Sequence, residues 1–90
     1  MLLAMKRFLF PDIKQMKERS TGGDAEAQFQ LGYRYYHGGG VPKNIRKAEE
    51  WYLKAARQRH PVARKTLGYM YAAGIGTSED FSEALRLLSR

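Results

Sequence analysis

The sequence predicts an all-α protein, an α/α superhelix (right-handed solenoid) of two helix-turn-helix repeats that follow an N-terminal capping helix. Three observations predict this fold. The chain matches itself after a shift of 36 residues, without any insertion. Apolar residues within each copy recur with the period of an α-helix. Glycines and helix-capping residue types stand where each helix would end or begin.

The self-match aligns identical residues, or in one case the related pair Asn and Asp, at the special positions of both copies. The coinciding pairs are Ala27 and Ala63, Leu31 and Leu67, Gly32 and Gly68, Tyr33 and Tyr69, Tyr35 and Tyr71, Gly38 and Gly74, Gly40 and Gly76, Asn44 and Asp80, and Ala48 and Ala84. Agreement at so many positions indicates two copies of one supersecondary unit, which would bury its apolar face by stacking on the next copy.

Each copy is predicted to be a pair of helices. The predicted helices cover roughly residues 24–37, 44–58, 61–73 and 79–89. Asp24 and Asn44 are suitable N-caps, and Pro61 suits the first turn of a helix, where its missing amide is harmless. Glycine within a helix costs about 1 kcal/mol relative to alanine. The repetition of Gly32 at Gly68 therefore predicts a close approach by a neighbouring helix.

The glycine clusters at residues 38–40 and 74–76 follow the first helix of each copy. Glycine readily adopts the left-handed conformation of a helix C-cap, so these clusters predict turns. A phosphate-binding loop is excluded because no Gly-Lys-Ser/Thr follows, and because the C-terminal end of a helix dipole repels anions.

The chain is predicted to form one domain of three parts. Residues 1–22 are an apolar N-terminal segment and a degenerate capping helix, residues 23–58 are the first repeat, and residues 59–90 are a truncated second repeat. The capping helix is expected to begin near Phe10–Asp12. Arg59 stands where the first copy has Gly23, so the turn there is expected to be strained or altered.

Composition limits the classes of function. The chain is 43% hydrophobic and 28% charged, which is typical of a folded domain, and it contains no cysteine. No stretch approaches the roughly 20 apolar residues of a membrane span. The segment from Met1 to Phe10 lacks the charge order of a secretory signal. A cytoplasmic location is therefore expected, or a periplasmic one if the N-terminus is wrongly assigned.

Residue types suited to catalysis are sparse. His37 and His60 are the two histidines and do not share a repeat position. His37 is placed at a helix C-terminus, and His60 in the loop before Pro61. The spacing of histidine and carboxylate residues does not suit a zinc site. We therefore predict no catalytic residue, no metal and no cofactor, and a protein that is not an enzyme.

With these positions established, the repeat resembles the Sel-one-like repeat, a subclass of the tetratricopeptide-like α/α repeats. The resemblance covers residues 23–90. It rests in the first copy on Ala27, Leu31, Gly32, Tyr35, Gly38, Gly40, Val41, Asn44, Ala48, Trp51, Tyr52, Ala55 and Ala56, and in the second on Ala63, Leu67, Gly68, Tyr71, Gly74, Gly76, Asp80 and Ala84. The resemblance implies an adaptor or scaffold that binds proteins, and some bacterial members are immunity proteins.

In tetratricopeptide-like stacks the first helix of each pair lines a concave, peptide-binding groove. The partner-binding residues predicted on this face are Gln30, Tyr33, Arg34, His37, Thr66, Tyr69 and Met70. The alternative is that Tyr33 and Tyr69 only pack between the repeats. The other aromatic residues at repeat positions, Tyr35, Trp51, Tyr52 and Tyr71, are predicted to lie in the core.

The chain is also predicted to have two uncovered ends. Met1–Phe10 forms one apolar surface, and the possible interface at the other end consists of Leu85, Leu87 and Leu88. Repeat stacks generally need about three units to bury a continuous core. We therefore expect an end to be covered by a protein partner of unknown identity or by a second copy, which would make a homo-oligomer.

The formal charge of +7 supports a rival function, the binding of an acidic partner or nucleic acid. The basic residues that would serve it are Arg46, Lys47, Lys54, Arg57, Arg64 and Lys65. Nucleic acid is the less expected partner, because much of the charge complements predicted helix dipoles. A third interpretation is a non-catalytic accessory or immunity subunit that docks on an enzyme.

Overall fold

The computed structural model describes residues 13–75. These residues form four helices: α1 (Ile13–Thr21), α2 (Ala25–His37), α3 (Ile45–Arg57) and α4 (Pro61–Ala72). The prediction of an all-α solenoid is confirmed, and three of the predicted helices agree with α2, α3 and α4 to within one residue at each end. The predicted helix over 79–89 lies outside the described residues, as do the segment Met1–Phe10 and the expected start of the capping helix.

Side-chain caps fix the starts of α2 and α3, as predicted. The Asp24 carboxylate accepts a hydrogen bond from the Ala27 amide at 3.1 Å, and the Asn44 side chain accepts one from the Lys47 amide at 3.0 Å. Each cap satisfies an amide that has no partner within its own helix. Gly38 ends α2 in the left-handed conformation, with φ of 75°, and its amide donates to the Arg34 carbonyl.

The turn between the two repeats is strained at Arg59. Its φ is 64°, in the left-handed region that costs a non-glycine residue roughly 1–2 kcal/mol. Gly23, at the same repeat position one copy earlier, has φ of 98°. The prediction of a strained turn at Arg59 is therefore confirmed, because both copies demand a positive φ at this point.

Each helix packs mainly against the next helix in the chain, α1 on α2, α2 on α3, and α3 on α4. Tyr35, Tyr52 and Tyr71 are buried in the shared core, as predicted. Trp51 is only partly buried and lies beneath the Lys54 ammonium, which is 4.4 Å from the ring centroid. These three tyrosines come from α2, α3 and α4. Their burial in one continuous cluster therefore joins both helices of the first repeat to the first helix of the second repeat.

Gly32 lies where α2 and α3 meet most closely. A Cβ atom there would stand 2.7 Å from two ring carbons of Tyr52 and 3.2 Å from the Ala48 carbonyl oxygen. The predicted close approach is confirmed for this glycine. Glycine is less favourable than alanine within a helix, but its lack of a Cβ atom lets the Tyr52 ring lie against the α2 backbone. The corresponding contact of Gly68 would involve Leu88, which is outside the described residues.

Helix α1 is attached to the first repeat by packing and by amide side chains. Met16 and Ser20 are its buried residues. The Gln28 amide donates to the Ser20 carbonyl at 3.0 Å, and the Gln58 amide donates both to the Gly23 carbonyl and to the Gln28 side-chain oxygen at 2.9 Å. This chain of amides connects α1, α2 and the end of α3.

Candidate partner-binding groove

A surface pocket of about 230 Å³ opens between α2 and α4, with Tyr52 of α3 contributing to its wall. We call it the aromatic pocket. Its lining residues come from both repeats: Phe29, Tyr33, Tyr36, His37, Tyr52, Thr66, Tyr69 and Met70. Five of the seven sequence-predicted partner-binding residues line it, namely Tyr33, His37, Thr66, Tyr69 and Met70.

The two repeat-related tyrosines are exposed parts of this lining. Tyr33 is 49% exposed and Tyr69 is 69% exposed, although both are large and largely apolar. The His37 ring lies 4.2 Å from the Tyr33 ring and 4.9 Å from the Tyr36 ring, measured between centroids. Aromatic rings held by mutual contact present a surface that loses little conformational freedom when it binds a partner.

Two of the predicted residues lie outside the aromatic pocket, and a third, Met70, lines it with little exposed surface. Met70 contributes to the wall of the aromatic pocket but is only 1% exposed, so its side chain belongs to the core. Gln30 lines a smaller pocket, of about 130 Å³, between α1 and α2. Arg34 is partly buried near Gly39 and lines neither pocket. The possible end interface at Leu85, Leu87 and Leu88 lies outside the described residues.

Phe29 and Tyr36 line the aromatic pocket and were missed by the sequence analysis. Their counterparts 36 residues later are Lys65 and Ala72, so the repeat gives no aromatic signal at either position. Helical geometry could have indicated them, because both lie on the side of α2 next to the Tyr33 row. Phe29 also contacts the Tyr52 ring, at 5.5 Å between centroids.

His60 joins the two repeats beside the aromatic pocket. Its Nδ1 accepts a hydrogen bond from the Ala63 amide at 3.1 Å and thereby caps α4. This bond leaves Nε2 as the protonated nitrogen, which donates to the Glu26 carboxylate of α2 at 2.6 Å. The His60 ring also stacks on Phe29, with 5.0 Å between centroids. The sequence placed His60 in a loop and gave it no such role.

The contact with His60 also lowers the pKa of Glu26. The pKa of Glu26 lies below 4.5, chiefly because its carboxylate accepts the hydrogen bond from His60, and secondly because it accepts one from Gln30. Partial burial opposes this effect but does not cancel it. The Glu26 carboxylate lines the smaller pocket between α1 and α2.

The basic residues of the rival interpretation are not gathered at the aromatic pocket. Arg46, Lys47, Lys54 and Arg57 belong to α3, and Arg64 and Lys65 belong to α4, and none of the six lines the pocket. Lys47 lies over the Tyr35 ring, 5.4 Å from its centroid, as Lys54 does over Trp51. Two of these cations are thus already engaged with aromatic faces of their own chain.

Within residues 13–75, no group of three or more histidine, aspartate or glutamate residues could hold a metal ion. The same residues include no helix long and apolar enough to cross a bilayer.

Comparison with known families identifies the repeat. The model of the family described as "Sel1 repeat" matches residues 25–60 and again residues 66–90. The chain belongs to the Sel1 repeat family. The resemblance inferred from the motif is thereby confirmed.

Relatives and a solved structure agree with the Sel1 assignment. The chain is 36% identical over 44 residues to the secretory immunoglobulin A-binding protein EsiB of Escherichia coli, and 33% identical over 66 residues to the ERAD-associated E3 ubiquitin-protein ligase component HRD3A of Arabidopsis thaliana. These matches cover 49% and 72% of this chain. They span only 9% and 10% of the relatives' own lengths.

A Sel1 repeat protein from Oxalobacter formigenes has a similar solved structure. The two share a TM-score of 0.72 and 40% sequence identity over 82% of this chain, which corresponds to 30% of the Oxalobacter chain. Sel1 repeats are in general protein–protein interaction modules, and proteins built from them are typically non-catalytic. The structure therefore offers a Sel1 stack with a defined aromatic concavity between its two repeats.

Proposed function

We propose that this Sel1 stack is a non-catalytic adaptor or scaffold that binds a partner protein or peptide through the concave face of α2 and α4. The observation that carries the proposal is the aromatic pocket, in which Tyr33 and Tyr69 of successive repeats stand exposed at one opening. Tyrosine is among the residues that most often dominate binding energy at protein interfaces. Exposed large apolar side chains gathered in a concavity are typical of an interaction site.

The alternative explanation for these tyrosines, packing between the repeats, is disfavoured by their exposure. Tyr52, which does pack between helices, is only 2% exposed, whereas Tyr33 and Tyr69 leave about half or more of their surface in solvent. Two repeat-related aromatic residues with this exposure contribute little to the core. Their retained surface is available to a ligand.

Similar proteins support the same class of function. EsiB is named as a binder of secretory immunoglobulin A, and HRD3A is named as a component of a ubiquitin ligase. The second name favours a more specific version of the proposal, in which this chain docks as an accessory subunit on an enzyme. Both versions use the concave face for docking and require no catalytic group in this chain.

A selection from a random peptide library displayed on phage tests the proposal. The purified chain is the target, and the double variant Tyr33→Ala/Tyr69→Ala serves for counter-selection. We expect peptides that bind the native chain and lose at least about thirtyfold in affinity for the double variant, as loss of a dominant interface residue implies. The exposed α3 variant Glu50→Ala is the matched control and should bind as the native chain does.

Circular dichroism and thermal unfolding of both variants show whether the fold persists. Substitution of exposed side chains usually changes stability little, so both variants should remain helical. Peptides that bind the native chain and the folded double variant equally would contradict the assignment of this face.

A further inference from the structure

Aromatic rings make up most of the lining of the aromatic pocket. Six of the eight described residues that line it have rings, and none of the eight carries a carboxylate, an ammonium or a guanidinium group. Four of the rings belong to α2, one belongs to α3 and one belongs to α4. A ligand in this pocket would therefore have π systems of three helices around it.

The rings of this lining are inclined to one another. The plane of the His37 ring makes an angle of 47° with that of Tyr33 and 64° with that of Tyr36, and the planes of Phe29 and Tyr52 make an angle of 33°. Rings at such angles can face one ligand from different directions, which a single parallel stack cannot do. Because the face of a ring is the negative side of its quadrupole, this arrangement suits a positively charged group.

Aromatic faces elsewhere on this protein already bind cations. The Lys54 ammonium lies 4.4 Å from the centroid of the Trp51 ring, and the Lys47 ammonium lies 5.4 Å from that of Tyr35. Both distances are within the limit of about 6 Å for a cation–π contact. The contacts form on a chain with a formal net charge of +7. The net charge therefore does not prevent a ring of this protein from binding a cation.

The charged groups around the pocket also permit a cationic ligand. The lysines and arginines of residues 13–75 contribute nothing to the lining, and salt screens charges that lie further away than about 8 Å. One carboxylate is connected to the wall, because Glu26 accepts a hydrogen bond from His60 and the His60 ring stacks on Phe29. A cation in the pocket would therefore contact rings, with the Glu26 carboxylate beyond His60.

Volume and hydrogen-bonding capacity restrict which cation fits. Pockets for drug-sized molecules measure about 300–1,000 Å³, whereas this one measures about 230 Å³, which suits one side chain of a longer ligand. A lysine ammonium has three hydrogen-bond donors and an arginine guanidinium has five. The described lining offers them no carboxylate, and a buried donor without a partner costs free energy. A trimethylated ammonium keeps the positive charge and has no donor to satisfy.

We propose that the aromatic pocket binds the trimethylated ammonium group of a modified lysine in a partner protein, held against the exposed rings of Tyr33 and Tyr69. The inference rests on the proposed function and specifies its ligand. Proteins bind quaternary ammonium groups in cages of aromatic rings, because ring faces stabilise the charge without hydrogen bonds. The pocket opens between α2 and α4, so the rest of the partner segment continues along the concave face.

An NMR titration of the full chain tests the ligand. The peptides share an uncharged glycine–serine sequence and differ at one central residue, which is trimethyllysine, lysine, arginine, or the neutral analogue with carbon in place of the charged nitrogen. We expect the trimethyllysine peptide to bind, with its N-methyl protons shifted upfield by ring currents. The neutral analogue has the same shape without the charge and should bind at least about fivefold more weakly. The lysine and arginine peptides should also bind at least about fivefold more weakly, because their donors lose water.

Two matched variants of the chain separate the ring faces from apolar contact in general. Tyr33→Phe/Tyr69→Phe keeps both rings and should bind the trimethyllysine peptide within about twofold of the native chain. Tyr33→Leu/Tyr69→Leu keeps apolar side chains without rings and should bind it roughly tenfold more weakly. Circular dichroism shows that each variant is folded, and Tyr69→Leu alone replaces the double leucine variant if that one does not fold. Glu50→Ala again serves as the control.

Several results would overturn the ligand assignment. Equal affinity for the neutral analogue would show an apolar pocket, and equal affinity for lysine or arginine would show that methylation has no role. Choline that binds as tightly as the trimethyllysine peptide would assign the pocket to a small ligand instead of a partner protein. If the trimethyllysine peptide does not bind but phage-selected peptides depend on Tyr33 and Tyr69, the ligand assignment fails and the proposed function stands. If no peptide of either kind depends on the two tyrosines, both proposals fail.

Discussion

The turns that precede the two repeats differ in backbone strain because one has glycine and the other has arginine at the same position. Gly23 and Arg59 occupy the same repeat position, and both have positive φ, at 98° and 64°. Glycine adopts such a conformation without a Cβ clash, whereas arginine does not. The Arg59 side chain is exposed. The backbone conformation therefore dominates the effect of replacing it.

We expect Arg59→Gly to raise the free energy of unfolding by up to about 1 kcal/mol, since it removes left-handed strain while the greater freedom of glycine in the unfolded chain offsets part of the gain. Gly23→Ala is the matched reverse change and should lower stability by about 1 kcal/mol, because space for a Cβ exists but the φ does not suit it. Urea denaturation of both variants measures the effect. Effects of the same sign would contradict this account.

Gly32 is constrained by space rather than by φ. We expect Gly32→Ala to lower the free energy of unfolding by about 1–3 kcal/mol, the usual cost of overpacking, even though alanine favours helix. The new Cβ would overlap the Tyr52 ring at 2.7 Å. The double variant Gly32→Ala/Tyr52→Leu should lose less than the sum of the two single changes, because the overlap disappears. Strict additivity in the denaturation data would show that the ring is not the cause.

At the scale of elements, the sequence predicted the helices more fully than their junction. Asp24, Asn44 and Pro61 are strong local signals of a helix start. The first two accept hydrogen bonds from amides of the first turn, and Pro61 has no amide hydrogen that would need a partner. His60 has a similar role in α4, but histidine is not a common cap residue. Its contacts with Glu26 and Phe29 join residues more than 30 positions apart. Such contacts depend on how the repeats stack, which local sequence does not encode.

The junction between the repeats should depend on the His60 ring. We expect His60→Ala to lower the free energy of unfolding by about 2 kcal/mol, through loss of the α4 cap and of stacking on Phe29. His60→Asn retains a side-chain acceptor for the Ala63 amide and should recover about half of that loss. Chemical denaturation followed by circular dichroism measures both variants. Equal losses for alanine and asparagine would show that the cap contributes nothing.

Glu26 should give the same junction a dependence on pH. Its folded-state pKa is lowered, mainly by the hydrogen bond from His60, so its contribution is complete above the unfolded value near 4.5 and disappears as pH falls through the lower folded value. We expect the stability difference between the native chain and Glu26→Gln to be largest at neutral pH and to shrink below about pH 4.5. A difference that grows on acidification would have the wrong sign for this interaction.

At the scale of the whole molecule, the repeat period predicted which residues come together but not how deeply each is buried. Tyr33 and Tyr69 share one pocket because they share a repeat position. Met70 also lines that pocket but is nearly buried, and Phe29 and Tyr36 join it without any repeat signal. The period fixes the face of a helix, whereas exposure depends on the distance between α2 and α4, which is a property of the stack.

That sequential stack also predicts how stability is distributed. Helix α1 packs mainly against α2, whereas α2 and α3 each have packed helices on two sides. In a repeat protein each unit is stabilised mainly by its neighbours, so α1 should open more readily than α2 or α3. We expect native-state hydrogen exchange to show the lowest amide protection in α1 and the highest in α2 and α3. Met16→Ala, which removes a buried contact of α1, should lower protection in α1 far more than in α3. Equal loss of protection in both helices would mean that the described residues unfold as one cooperative unit, and the nearest-neighbour account would then be wrong for a stack of this length.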